Sequence, residues 1–444
     1  MIKSQGLAVV LRTLGNADYR TYQIGRTAGL ITMWMYRMAI AWMVWDMTQS
    51  TTWLGIFGFL DQAPSFLVTP LAGALADRMD RMTLLRRSQA LLMLLTVSMS
   101  LLLYFDAMGI ELLAVMAFLY GTISAVQQPA SHSIVPSLVP KEDLGTAFAL
   151  NAMLFNVSRF AGPLMAGATI ILWGTGPTIF FNTVGNGIFA VCLILMQNRH
   201  EGIGRRNQQV GKKGNLLHDV KDGLVYAARH PGLGPLLLIL TFVSVLTFPL
   251  QQMLPGIADG VFGEGAQGLA LMTALLGTGA MLQSAYMAQR GGVEGLTRYV
   301  GTNILIVGIA FVALTATANY WIGLASVFVV GIGMVANRIG IMTLLQNGAE
   351  PGMRGRVASF YGVLFQIGPA VGSLLIGSLG DIFGIRTMIV VVGFLTIGVW
   401  LWSLSLRSRI ERSLETTVED SESMTGTQVT HPESTLNIRP PTPG

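Results

Sequence analysis

Apolar runs of about twenty residues recur along the whole of this chain, and they leave it little choice of fold. A helix needs about 20 residues to cross about 30 Å of hydrocarbon. Inside a bilayer each backbone polar group must be satisfied within its own segment, which favours helices. Twelve such runs can be counted: 22–45, 52–76, 83–105, 110–134, 146–173, 177–197, 232–256, 266–289, 297–318, 320–346, 357–379 and 385–406. Charged residues are only 11% of the 444, against about 25% in a soluble domain. The expectation is an all-α integral membrane protein with twelve transmembrane helices in two pseudo-symmetric six-helix bundles.

The basic residues set the orientation. The loops after spans 1, 3, 5, 7 and 9 hold no Lys or Arg, and Arg386 alone stands at the turn after span 11. Each loop after an even-numbered span, up to span 10, has at least one. Basic loops stay in the cytoplasm, so both termini are expected there, with the chain in the cell (inner) membrane. The organisation read this way is a cytoplasmic lead-in (1–21), a first bundle (22–197), a linker (198–231), a second bundle (232–406) and a disordered tail (407–444). The linker carries seven Lys and Arg, with Leu216, Val220 and Leu224 at helical spacing, which reads as an amphipathic helix on the inner surface. The tail is rich in Ser, Thr, Pro and Glu and lacks apolar periodicity. The net charge of +5 is explained by this topology, so no nucleic-acid partner is expected.

One loop crowds charge between two apolar runs: Gly73-Ala-Leu-Ala-Asp77-Arg78-Met-Asp80-Arg81. Taken alone, Gly73 lets two helices pack closely. Asp77 can serve a nearby helix N-terminus. Arg78 and Arg81 can bridge to acids or lipid headgroups. The stretch resembles the signature loop between helices 2 and 3 of the major facilitator superfamily, G-x-L-A-D-R-x-G-R-[KR]. Gly73, Leu75, Asp77, Arg78 and Arg81 match; Asp80 replaces the usual Gly, and Met82 replaces a basic residue. The D-R-x-D-R form is typical of a bacterial drug and siderophore (enterobactin-type) exporter branch. Trp34-Met-x-Arg37-x-Ala-x-x-Trp42 and Gly162-Pro163-Leu-Met-Ala-Gly167 are similar to the same branch. The resemblance implies a secondary transporter in which two halves rock about a central site. It implies proton-coupled export of a small drug-like or siderophore-like compound by a monomer in the bilayer. An importer on the same fold and a non-transporting scaffold are the alternatives.

Charges within spans cost about 2.5–3.5 kcal/mol each at a helix centre and therefore face a cavity or a partner. Four stand out: Arg37, Asp61, Arg159 and Arg338. Arg37 and Asp61 lie at similar depth on consecutive antiparallel spans, so they can meet. Two readings stay open: an ion pair that locks the helices, or an Asp61 that carries the coupling proton. Arg159 has no acid at its depth; it faces the cavity or bonds carbonyls freed by Pro163. Arg338 lines the pathway or snorkels to the inner surface. Gln127 in span 4 is a further pathway candidate. His132 reads as a surface His or a titrating group. Gly162-Pro163 and Gly368-Pro369 echo one another in spans 5 and 11 and are expected at helix contacts. Trp42 and Trp45 read as an outer aromatic belt. No Walker loop, metal helix or Cys/His cluster occurs. Neither a cofactor, a metal nor an enzymatic activity is expected.

Overall fold

The computed structural model describes residues 2–78, 80–199, 225–350 and 352–415; side chains are described from residue 9 onward, except 68–78, 132 and 197–199. The described chain runs α1 Ile2–Gly15, α2 Ala17–Thr48, α3 Thr51–Arg78, α4 Arg81–Tyr104, α5 Ile110–Ile134, α6 Leu144–Trp173 and α7 Thr175–Arg199. It continues α8 Leu233–Thr247, α9 Leu250–Ala258, α10 Gly265–Arg290, α11 Leu296–Ala316, α12 Tyr320–Gly348, α13 Arg354–Phe383 and α14 Ile385–Leu414. Ten spans, one of them α8 and α9 together, are long and apolar enough to cross a membrane. Helices α2 and α3 pack into the same bundle, and the expectation of twelve spans rests on counting both.

Side-chain caps decide where several helices begin. Asn16 accepts from the amides of Asp18 and Tyr19 and starts α2. Asp80, the residue that departs from the signature pattern, accepts from the Thr83 amide and hydroxyl at 2.9 Å and starts α4. A carboxylate there satisfies otherwise unpaired amides and suits the positive end of the dipole. Arg81 donates to the Ser133 carbonyl at 3.0 Å, tying the signature loop to the end of α5. Gly73, Asp77 and Arg78 lie in the last turns of α3, and their side chains are outside the described residues.

Helices α2 to α7 pack on one another, and so do α8 to α14; the two groups meet chiefly where α3 crosses α13 and α6 crosses α10. Gln127 does not stand alone. Its amide donates to Gln89 at 2.6 Å, Gln89 donates to Asn186 at 2.7 Å, and Asn186 donates to Asn182 at 2.9 Å. This ladder joins α5, α4 and α7 through polar groups that hydrocarbon could not satisfy.

One boundary differs from expectation. The tail expected from residue 407 begins later, because α14 continues to Leu414. Ile410 and Leu414, one turn apart, are both buried. Glu415 then accepts from the amides of Gly295 and Thr297 and caps α11. Most of the expected surface helix in the linker, residues 200–224, and the tail from 416 lie outside the described residues.

At the other edge of the linker, His230 Nδ1 accepts from the amides of Gly232 and Leu233, both at 3.2 Å, at the entry to α8. Burial pushes this imidazole below its usual range, against a smaller upward pull from Glu350. A group whose folded-state pKa is lowered contributes stability above its unfolded value and loses it as pH falls through the folded value. Only neutral His230 can accept both bonds. The cap should therefore weaken as pH falls below the usual imidazole range. The pH dependence of thermal stability between pH 7.5 and 5 should flatten measurably in His230→Ala, which itself costs about 1 kcal/mol.

Candidate functional site

A cavity lies between the two helix groups, lined among others by Trp34, Arg37, Phe57, Asp61, Tyr120 and Gln251. Arg37 Nη2 lies 3.1 Å from Asp61 Oδ1, with the two side chains 36% and 24% exposed. The ion pair read from helix depth therefore forms, and it is only half-buried. It is also incomplete: Arg37 Nε and Asp61 Oδ2 are buried and have no hydrogen-bond partner among the described residues. Buried polar atoms are usually paired, so the pair has capacity for a further ligand or proton.

Trp34 organises the cations. The guanidinium carbons of Arg37 and Arg159 each lie 5.5 Å from its ring centroid. One indole thus offers its π-system to two arginines. Arg159 has a single long hydrogen bond, to Gln251 Oε1 at 3.5 Å. Gly162 makes this possible, because a Cβ there would collide with Trp34 and the Ile31 carbonyl. Pro163 cannot donate to the Arg159 carbonyl, and that carbonyl faces Gly277 of α10. Tyr36 and Tyr120 stack at 4.2 Å below the pair.

Arg338 joins neither the ion pair nor Trp34. It is exposed, and its guanidinium lies 4.8 Å above the ring of Phe365. Phe365 meets Phe248 edge-on at 4.7 Å. Phe248 and Pro249 form the joint between α8 and α9. Pro249 deprives the Val245 carbonyl of its helical partner. Gly368 packs on Ser244, and Gly372 packs on the Val245 carbonyl and Pro249. The Gly-Pro element of α13 therefore sits on the break in span 7. The structure adds Gln251 and Gln252, which the break turns toward the cavity. A proline inside an apolar run followed by Gln-Gln was the signal for them.

At the end remote from the termini, a second carboxylate joins the two helix groups. Asp381 of α13 accepts from the Thr51 amide at 2.6 Å, the Thr52 amide at 3.2 Å and the hydroxyls of Ser50 and Thr51 at 2.5 and 2.8 Å. It caps the N-terminus of α3 from the other half. Below it the backbones nearly touch: a Cβ on Gly377 would lie 2.9 Å from Gly55 Cα. Trp45 is 5% exposed, donates to Asp259 at 2.8 Å and packs on Gly256 and Gly260. Trp45 is thus part of this closure and not of a lipid-facing belt, because its indole is covered by α9. Among the described residues, the hydrogen bonds between the halves lie from the middle of the bundle to this remote end. Asp381 too had a sequence signal. Gly377-x-Leu379-Gly380-Asp381-x-x-Gly384 repeats the spacing of Gly73-x-Leu75-Ala76-Asp77.

Two helix groups closed at one end around a central charged cavity define a membrane transporter, not an enzyme. The same fold occurs in a bacterial homologue of the lysosomal transporter Spinster (TM-score 0.71, 14% identity, 90% of this chain and 98% of that one). It occurs again in a peptide transporter (TM-score 0.70, 14% identity, 89% and 95%). Residues 10–434 match the model of the transmembrane secretion effectors. The chain belongs to this family of the major facilitator superfamily. Its relatives include macrolide efflux protein A of Streptococcus pyogenes, 21% identical over 85% of this chain and 93% of that protein. The staphyloferrin A transporter of Staphylococcus aureus is 22% identical over 86% and 94%.

Proposed function

We propose that this transporter exports a small amphipathic compound bearing an anionic or strongly polar group, coupled to protons through Asp61. The observation that carries the proposal is charge at the central site. Two cations share the Trp34 ring, Arg37 and Arg159, against one acid, Asp61, which pairs with Arg37; among the described residues Arg159 has only a long contact to an amide. Each uncompensated cation is costly in a bilayer, and an anionic cargo would offset that cost. The stacked tyrosines, Trp34 and Phe57 supply apolar surface for the rest of the molecule. Export is favoured by the likeness to a macrolide efflux protein. An inside-negative membrane potential also drives an anion outward, by about 2.3 kcal/mol per charge per 100 mV.

The distribution of basic loops supports twelve spans, α2 and α3 included, with both termini cytoplasmic. The closed end is then the outer one, and cargo enters from the cytoplasm. Rocking the halves would break the Asp381 and Trp45 contacts and open the site outward. Asp61 either holds Arg37 or takes a proton, so proton and cargo act on the same guanidinium.

The test uses purified protein in liposomes with a pH-sensitive dye inside and a panel of siderophores and drugs. Cargo-dependent proton flux is expected in the wild type and should vanish in Asp61→Asn. Equal flux in both would leave Asp61 as a structural partner of Arg37. Preference for lipophilic cations across the panel would sink the anionic assignment.

A further inference from the structure

A second cavity, of about 220 Å³, lies in the second half at the end nearer the termini, between α11 and α14. Its inner wall is apolar and buried: Leu236, Ile239, Ile304 and Leu344. Its mouth carries Arg298 and Arg407. Beside the mouth, Leu401 and Leu404 are exposed apolar residues, 57% and 44%, as expected of a surface that meets lipid tails.

Two observations argue that the cavity takes a ligand. Thr297 lines it, is 8% exposed, and its hydroxyl has no hydrogen-bond partner among the described residues. Threonine hydroxyls in spans ordinarily bond back to the preceding turn, as Thr302 does to the Arg298 carbonyl. Gly301 stands in the wall, and no atom apart from the adjacent backbone of its own helix lies within 4 Å of the point where its side chain would begin. A glycine that no neighbour crowds is not there for helix packing; here it keeps the cavity open.

The charges choose the ligand. Arg298 is exposed and has no hydrogen bond or ion pair among the described residues. Arg407 Nε is bonded to Glu411 Oε1 at 2.7 Å. Glu415 is already engaged by the amides of Gly295 and Thr297. Both acids are thus engaged, and Arg298 stands without a partner among the described residues beside Arg407, above an apolar crevice, an arrangement that matches a phosphate attached to an acyl chain. We infer that this cavity is a binding site for an anionic phospholipid. The phosphate is held by Arg298 and Arg407, the glycerol ester region meets the Thr297 hydroxyl, and one acyl chain enters past Gly301. The site is separate from the central cavity and needs no assumption about cargo.

Native mass spectrometry of the full chain tests this, with dioleoylphosphatidylglycerol, dioleoylphosphatidylcholine and glycerol 3-phosphate as probes. Wild type should retain phosphatidylglycerol in preference to phosphatidylcholine and should not retain glycerol 3-phosphate. Arg298→Gln removes an exposed group with no structural partner and should weaken phosphatidylglycerol binding about fivefold, the weight of one basic contact at an anionic surface. Gly301→Leu fills the crevice, leaves both arginines in place, and should weaken it at least as much. Arg87→Gln, on α4 of the other half, should leave binding unchanged. The thermal shift produced by phosphatidylglycerol should fall in parallel in the first two variants only. Undiminished retention in both Arg298→Gln and Gly301→Leu would overturn the site. Equal retention of phosphatidylcholine would overturn the assignment to an anionic lipid. Binding of glycerol 3-phosphate as tight as that of the lipid would reassign the site to a free phosphate ester.

Discussion

Asp381→Ala should shift the transporter toward the form open at the Asp381 end, the outer end in the topology proposed above, by roughly 30-fold. Asp381 accepts four hydrogen bonds from the start of α3, and all of them cross between the halves. Hydrogen bonds to charged groups contribute about 1.5–3 kcal/mol each when protected. Asp381 is exposed, so solvent screening reduces the set to about 2 kcal/mol in total. That is enough to invert a balanced two-state equilibrium. The effect can be read as a distance between spin labels at Tyr104 and Trp321, both highly exposed, in a Cys192→Ser background. The expected result is growth of the longer-distance population in Asp381→Ala and little change in Asp381→Glu. Gly55→Leu offers an independent route, since its side chain would meet the Ser373 carbonyl and Gly377. If both variants keep the wild-type distance distribution, the α3–α13 contact is not the outer gate.

Arg159→Gln should cut transport sharply and leave the protein as stable as before, or more so. Arg159 gains little from its surroundings: an indole face at 5.5 Å and one long bond to Gln251. A neutral amide relieves most of the cost of a cation in the spans, about 2.5–3.5 kcal/mol at a helix centre. Cargo that pairs with Arg159 would lose about 1.5–3 kcal/mol, so uptake into inside-out vesicles should fall roughly 10- to 100-fold. Arg159→Lys should rescue only part of this, because ammonium lacks the planar face that lies on Trp34. A melting temperature several degrees below wild type would instead make Arg159 a helix-packing residue. Full transport by Arg159→Gln would remove it from the pathway.

Much of this molecule was readable before any coordinates. The apolar runs follow from what a bilayer tolerates, so span positions could be placed to within a few residues. Arg37 and Asp61 could be paired because consecutive antiparallel helices make depth a simple count of residues. Other features depend on distant chain. The repeated spacing in α13 marks Asp381, but its capping role requires Thr51, 330 positions away. Gln251 and Gln252 were hidden because a proline in an apolar run may kink a span or break it, and here packing by Gly368 and Gly372 accompanies the break. Trp45 was misread because interface tryptophans and gate tryptophans have the same sequence setting. The end of α14 was set too early because Arg407, Arg409 and Arg412 resemble the start of a polar tail, while the burial of Ile410 and Leu414 depends on helices they meet only in three dimensions.

The position of Trp34 between two guanidinium groups also makes it a built-in optical sensor. Indole emission responds to nearby charge, and both cations beside this ring belong to the cargo and proton pathway proposed above. Drawing either arginine away, by an anion or by protonating Asp61, alters the field on the ring without any attached dye. The chain has eight tryptophans, so the signal is the difference between the wild type and Trp34→Phe. Occupancy of the central site could then be followed in real time, in detergent or in membranes, for a cargo that carries no label.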